Sequence, residues 1–343
     1  MTDIGIALPK GVSPDSSPAS SRVRHMLGRI EYEGYLAGVI VVMAIVLTFT
    51  VGSAFWGSTN LSGLLLDVAI DTVPAIGMTL VIVTGGIDVS IGSLVGVVAV
   101  VIGLSFEAHL PFVLVLLIGI VVGIGGGLVN GAIVAWGRVP PIIVTLGTLS
   151  VFEAITYQLL GGVWISTIPA ELTQIVVLDR LGPVPYSFIV AVALVAVFSY
   201  IMARRPIGLK IYATGDNPEA ARTAGLPIRR IQLFVYALLG GLTAIAALMT
   251  VGQSPLVMPT TGQDFELTVI AAAVVGGTNI LGGEGKVIGG LLGALLVEMV
   301  EDAAILYHVN SFYQQIVLGA MIVAGVAIGV ARRRARLATR AES

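Results

Sequence analysis

Residues Arg204–Arg230, RRPIGLKIYATGDNPEAARTAGLPIRR, form the one long polar interruption in the second half of a very apolar chain. They hold six of its 18 Lys and Arg: Arg204, Arg205, Lys210, Arg222, Arg229 and Arg230. Within them, Asp216-Asn217-Pro218-Glu219 reads as a helix start. Asp216 or Asn217 can accept from the free first-turn amides, Pro218 suits the first helical position, and Glu219 faces the positive end of the helix dipole. Ala220, Ala221 and Arg222 continue the turn, Gly225 offers a left-handed stop, and Pro227 prevents resumption. The expected helix, Asn217–Gly225, has about two turns and is roughly 10 Å long. Tethered between two apolar segments, it is either a handle that another protein can push or simply a well-capped loop.

The composition sets the context for that segment. Hydrophobic residues make up 56% of the 343, charged residues 11%, and mean hydropathy is +1.00. A soluble domain carries about 25% charged residues, so this chain cannot clothe itself in a hydrated surface. It reads as an all-α polytopic membrane protein in contact with the lipid bilayer. Its 43 Gly suit close approach between helices in lipid. Cysteine is absent and only three His occur, which leaves no disulfide framework and makes a metal centre improbable. Nothing indicates nucleic-acid binding. No cleavable signal peptide is visible ahead of the first apolar run near Gly34.

Apolar segments fall at about 34–52, 62–83, 91–106, 112–136, 141–160, 186–203, 230–251, 266–277, 286–306 and 312–331. Ten crossings with the N-terminus inside place 17 of the 18 Lys and Arg in inside segments or at their edges, with only Arg180 outside. That bias favours ten spans with both termini cytoplasmic. The organisation expected is a leader over 1–33, a membrane domain over 34–331 with its long polar loop at 204–229, and a basic tail over 332–343. Among the outside segments, Gly161–Pro185 is the one most suited to an interfacial half-helix. Trp56, Trp136 and Trp164 fall at span ends, as interfacial aromatic belts require.

Two Gly-rich loops look alike: Gly85-Gly86-Ile87-Asp88-Val89-Ser90-Ile91-Gly92 and Gly276-Gly277-Thr278-Asn279-Ile280-Leu281-Gly282-Gly283. Both should be cytoplasmic. Their pattern is either an internal duplication or one local solution reached twice, with Gly for a tight turn and an Asx residue to cap the next helix. No GxxxxGK[ST] occurs, so no ATP cradle of that kind is expected in this chain. Acids inside spans are costly and point to function. Asp67 and Asp71 share a face of the second span with Thr72 beside them, Glu153, Tyr157 and Gln158 a face of the fifth, and Glu298, Glu301 and Asp302 the outer half of the ninth. A polar path for a hydroxyl-rich solute, a proton or cation relay, and simple solvation of Asp67, Glu301 and Asp302 near the outer surface all fit. No mid-span base pairs with these acids, which weakens the relay. No catalytic constellation stands in an aqueous domain, so the chain does not read as an enzyme.

Four ordered stretches, Gly77–Ser93 (GMTLVIVTGGIDVSIGS), Asn130–Leu149 (NGAIVAWGRVPPIIVTLGTL), Gly208–Leu226 (GLKIYATGDNPEAARTAGL) and Glu266–Leu296, carry a resemblance. The chain resembles, from about Phe49 to Val330, the permease subunits of bacterial ABC sugar importers of the ribose, galactose and autoinducer-2 class. That resemblance implies ten spans in a vitamin B12-permease-like architecture in the bacterial inner membrane. It implies a homo- or heterodimeric pair of permeases, two cytoplasmic ATPase domains that bind the ATP, a periplasmic solute-binding protein and a sugar substrate. The helix around Asn217–Gly225 becomes the coupling helix; the candidates for gate or path are Asp88, Thr145 and Thr148, which match the family's motifs, and Asp71, Thr72, Glu153 and Tyr157 from the polar faces inside spans. Gly85, Gly86, Gly276 and Gly277 match the family's loop glycines. Asp67 and Asp71 depart from the amide, hydroxyl or apolar residues usual there, which points away from ribose itself. The rival expectations are a related permease for branched-chain amino acids or nucleosides, an ion-driven carrier relying on Asp71 or Glu153, and a scaffold.

Overall fold

The computed structural model describes residues 32–341. Its main helices are α1 (Tyr32–Thr50), α2 (Ser58–Val83), α3 (Ile91–Glu107), α4 (Phe112–Gly137), α5 (Pro141–Leu160), α6 (Tyr186–Arg204), α7 (Pro206–Asp216), α8 (Pro218–Thr223), α9 (Ile228–Gln253), α10 (Phe265–Val275), α11 (Val287–Leu306) and α12 (Ser311–Ala341). Among the described residues, strand structure is confined to the short antiparallel pair Arg180–Leu181 and Val184–Pro185 and an isolated bridge between Ile165 and Val257. Each expected apolar segment is helical. Six of them, α1, α2, α4, α5, α6 and α9, are long and apolar enough to cross a membrane. Helices α3 and α10 are shorter, and α11 carries Glu298, Glu301 and Asp302 in its second half. Residues 1–31 of the leader, with Lys10, Arg22, Arg24 and Arg29, lie outside the described residues, while Tyr32 and Glu33 open α1.

Helix α2 is the axis of the bundle. Of its apolar window 94% is buried, against 11% for α1 and 22% for α4 and α6. Buried on nearly all sides, α2 is apolar around its circumference apart from a few polar positions such as Asp67, Asp71 and Thr72, whereas the outer helices leave apolar flanks for lipid or another subunit. Close approach builds the rest. Gly123, Gly127 and Gly131 recur every four residues on one face of α4, and a Cβ on Gly127 would overlap the Tyr236 carbonyl of α9. The same device joins α10 to α11, where Gly276 and Gly289 meet backbone to backbone. Without a hydrophobic drive between helices in lipid, such backbone contact supplies the dispersion that holds them.

Several sequence expectations need correction. Residues 206–216, read as loop, form α7, for which Pro206 supplies a favourable first position. Asp216 ends α7 and does not cap the next helix. Asn217 does so, its Oδ1 accepting from the Ala220 amide at 2.9 Å. The helix that follows is Pro218–Thr223, shorter than the Asn217–Gly225 expected, though Gly225 is left-handed at φ 79° as anticipated. The half-helix within 161–185 is Ala170–Thr173, continued as a wider turn through Gln174–Leu178, with Leu172 and Val176 buried. Helix α12 extends to Ala341, so the basic stretch after 331 is largely helical.

Candidate translocation path and coupling site

The polar residues singled out in the sequence gather in three places. The first is a cavity of about 560 Å³ between α2, α9, α10, α11 and α12. Asp67, Asp71, Glu298, Glu301 and Asp302 line it, so acids read as belonging to two separate spans share one space. Asp71 and Glu298, 4% and 8% exposed, stand close together in this cavity. Like charges tolerate such closeness only with a proton or cation between them. Asp71 Oδ2 has no protein partner. Asp67 and Asp302 are half-buried, and each has a protein partner as well. Asp67 accepts from Gln253 Nε2 at 2.6 Å and Asp302 from Asn60 Nδ2 at 2.9 Å. The lining includes no Lys, Arg or His. Thr72 is fully buried behind Asp71 and does not reach the cavity.

The second place is a cavity of about 380 Å³ where α5 meets α3 and the loop before α10. Glu153 and Tyr157 line it with Ser93, Thr156 and Glu266, and Tyr157 is 56% exposed. Gln158, on the same helix, does not line it. The left-handed Asp264, at φ 63°, turns the chain between the two cavities and lines both.

The third place is at the opposite end and is closed. Asp88 Oδ1 accepts from the Ser90 amide at 2.9 Å and from Ser90 Oγ at 2.7 Å, while Oδ2 accepts from Asn130 Nδ2 at 3.0 Å. Burial pushes the Asp88 carboxyl above the usual carboxylate range, and these hydrogen bonds act against that rise. Thr145 Oγ1 lies 3.2 Å from the Ile87 carbonyl, tying the loop to the start of α5, and Thr148 Oγ1 lies 3.3 Å from the Thr145 carbonyl. The Asx residues of the two similar loops do not cap the next helix. Each closes a local turn instead, for Asn279 Oδ1 accepts from the Leu281 amide at 3.1 Å as Asp88 does from Ser90. Gly85 and Gly277 hold φ of 83° and 94°, where a side chain would strain the backbone. Gly86 and Gly276 are needed for room. A Cβ on Gly86 would stand 2.7 Å from the buried Tyr236 hydroxyl, and one on Gly276 would overlap the Gly289 carbonyl.

These two loops meet α7 at one junction. The Gly283 amide donates to the Val83 carbonyl at 2.9 Å, and Tyr212 Oη donates to the Gly285 carbonyl at 2.7 Å. A Cβ on Gly215 would overlap the Val83 carbonyl. The last turn of α7 is thereby locked to the end of α2 and to the loop between α10 and α11. Helix α8 hangs directly from that junction, with Ala221 buried and Glu219, Ala220 and Thr223 exposed. Lys286 pairs with Glu33 at 3.1 Å nearby. Sequence reasoning missed Gly215, Asn130 and the meeting of Asp71 with Glu298, because each depends on which helices become neighbours.

A family described as "Branched-chain amino acid transport system / permease component" matches residues 60–326. The chain belongs to that family. Among its relatives are autoinducer 2 import system permease proteins LsrC. That of Yersinia enterocolitica is 34% identical over 76% of this chain and 72% of its own length. That of Shigella flexneri is 34% identical over 73% of each chain. That of Photorhabdus laumondii is 34% identical over 73% of this chain and 75% of its own. No solved structure matches. The protein is therefore a multi-pass inner-membrane permease subunit of an ABC importer, and not an enzyme. The matched range covers the junction and both cavities, whereas the four quoted stretches cover the junction and only a few of the cavity residues.

Proposed function

We propose that this permease works as one of two membrane subunits that import a neutral, sugar-like solute by alternating access. The solute is of the kind its autoinducer-2 relatives carry. In this reading the chain crosses the membrane ten times in a vitamin B12-permease-like arrangement, with both termini in the cytoplasm. It binds no cofactor itself. ATP belongs to two partner ATPase domains, and a periplasmic binding protein delivers the solute to the end bearing the acidic cavity. The ATPases push on the exposed side of α8, and the Gly215 junction carries that motion to α2 and to the loop between α10 and α11. Two packings of the bundle, favoured by different partners, complete the cycle.

The observation that carries the solute class is the chemistry of both cavities. They offer carboxyl, amide and hydroxyl groups and no base. An amino acid presents a carboxylate that would find no cation to pair with there, whereas hydroxyls hydrogen-bond to such groups freely. The face of α5 bearing Glu153 and Tyr157, open in a single subunit, is where a second permease would close the path. Thr145, Thr148 and Asp88 then stand at its inner gate, with Asp71 and Thr72 inside the subunit behind it. The test is ATP-driven uptake by the reconstituted complex, with labelled pentoses, hexoses and the autoinducer competed against leucine and nucleosides. Competition by leucine alone would move the assignment to amino acids. Uptake that survives ATP depletion and stops when an ion gradient collapses would replace the importer with a carrier.

A further inference from the structure

A groove of about 1030 Å³ lies between the end of α4, the outer side of α8 and the start of α9. Arg138, Arg222, Arg229 and Arg230 surround it, and no Asp or Glu lines it. Among the described residues, none of the four guanidinium groups takes part in an ion pair. They come from three separate elements. Arg138 holds a left-handed φ of 56° at the end of α4, Arg222 lies in α8, and Arg229 and Arg230 lie in the first turn of α9. Apart from Gln232, the remaining wall is apolar, with Val134 buried at 7% exposure and Trp136 half exposed at 50%. The groove sits where the apolar run of α4 stops and that of α9 begins, which is the depth of the membrane boundary.

Four unpaired cations beside an apolar floor and an interfacial Trp are complementary to one kind of ligand. It must present phosphate oxygens to the guanidinium forks and a hydrocarbon portion to the floor. Basic pockets between helices at this depth take anionic lipid headgroups. A free phosphate would leave the apolar wall unused. Of the exposed residues of α8, Pro218 and Arg222 line the groove while Glu219, Ala220 and Thr223 do not, so the lipid takes one flank of the helix and leaves the other to the ATPase.

We propose that this groove binds the headgroup of an anionic phospholipid, which bridges α8 to the ends of α4 and α9. The inference goes beyond the importer reading, because lipid retention can fail while ATP-driven uptake persists, and the reverse. The test uses the full chain in nanodiscs of defined mixtures of phosphatidylglycerol and phosphatidylcholine, followed by mass spectrometry of retained lipid. The wild type should retain phosphatidylglycerol at least about fivefold over phosphatidylcholine. The pair Arg229→Gln and Arg230→Gln, and separately Arg138→Gln, should lose most of that preference. Arg204→Gln with Arg205→Gln, at the same end but outside the groove, should keep it.

Equal retention of both lipids by the wild type, or equal losses in the control pair, would overturn the site in favour of diffuse charge attraction. Displacement of the lipid by millimolar inorganic phosphate alone would reassign it to a free anion. If a glutamine variant does not fold, a photoactivatable phosphatidylglycerol on the wild type decides the matter. Labelling must fall on 134–138 and 222–232; labelling elsewhere overturns the proposal.

Discussion

Asn217 shows how much one side chain settles. Its Oδ1 satisfies the Ala220 amide, and Pro218 follows in the conformation a first turn requires. Replacing it by Ala should cost the local helix about 1 kcal/mol. In the assembled importer, Asn217→Ala should lower uptake per ATP hydrolysed, read by measuring both rates on one preparation. Asp88 gives a prediction in pH. Its carboxyl is held above the usual range, so the folded state keeps its proton to higher pH than the unfolded chain does. Its contribution to stability is therefore full at acid pH and falls as pH rises from the unfolded value to the folded one. The slope is at most about 1.4 kcal/mol per pH unit. Thermal unfolding in detergent from pH 4 to 8 should show that fall for the wild type and a flatter profile for Asp88→Asn. Asn130, whose Oδ1 is unpartnered, can turn its amide to accept from the new side chain. Equal slopes would dismiss the assignment.

The loop glycines and the Asn217 cap were legible at this scale because turns and caps are decided by residues next to each other in the chain. The approach of Asp71 to Glu298 was not. It joins positions on α2 and α11 that no spacing relates. Asp71→Asn should change the rate or preference of uptake without loss of folding, since Asn keeps the shape and removes a like charge from Glu298. Unchanged kinetics for every solute tested would place Asp71 outside the path.

Among the elements, α7 and α8 carry the sharpest expectations. Ala221→Pro removes the amide that donates to the Asn217 carbonyl at 2.9 Å and should cost about 3 kcal/mol. That exceeds what a six-residue helix can bear. Uptake should stop while the permease remains inserted and monodisperse; wild-type uptake would sink the coupling role of α8. Gly215→Ala probes the junction instead. Its Cβ has no room against the Val83 carbonyl, so α7 must separate from α2. ATP hydrolysis by the complex should continue while uptake drops severalfold. The sequence displayed α8 because polar residues, Pro and Gly announce a short helix. It concealed α7, since PIGLKIYATG reads as a loop until burial of Gly208, Ile211 and Thr214 shows a packed face.

At the scale of the whole molecule, α4, α5 and α6 each bury less than a third of their apolar windows. Lipid covers some of that surface. The face of α5 that presents Glu153 and Tyr157 mixes these polar groups with Leu146 and Ser150, a composition better suited to protein than to hydrocarbon. The chain has no Cys, so Tyr157→Cys should give a disulfide-linked pair in native membranes if two copies form the path. Its absence under oxidation, with uptake intact, would argue for a different second chain.

The sequence by itself determined the class of the protein. Its hydropathy, the sidedness of its positive charge and its four ordered motifs require only local order and overall composition, and they sufficed to place it among importer permeases. Tertiary structure alone decided which of those segments is the buried axis, which acids share a cavity, and how α8 connects to the bundle. Helices in lipid are uniformly apolar outside and in, so periodicity cannot say which faces meet. Contacts between glycine backbones make that choice, and their partners lie on other helices, as far away in the chain as Tyr236 is from Gly127.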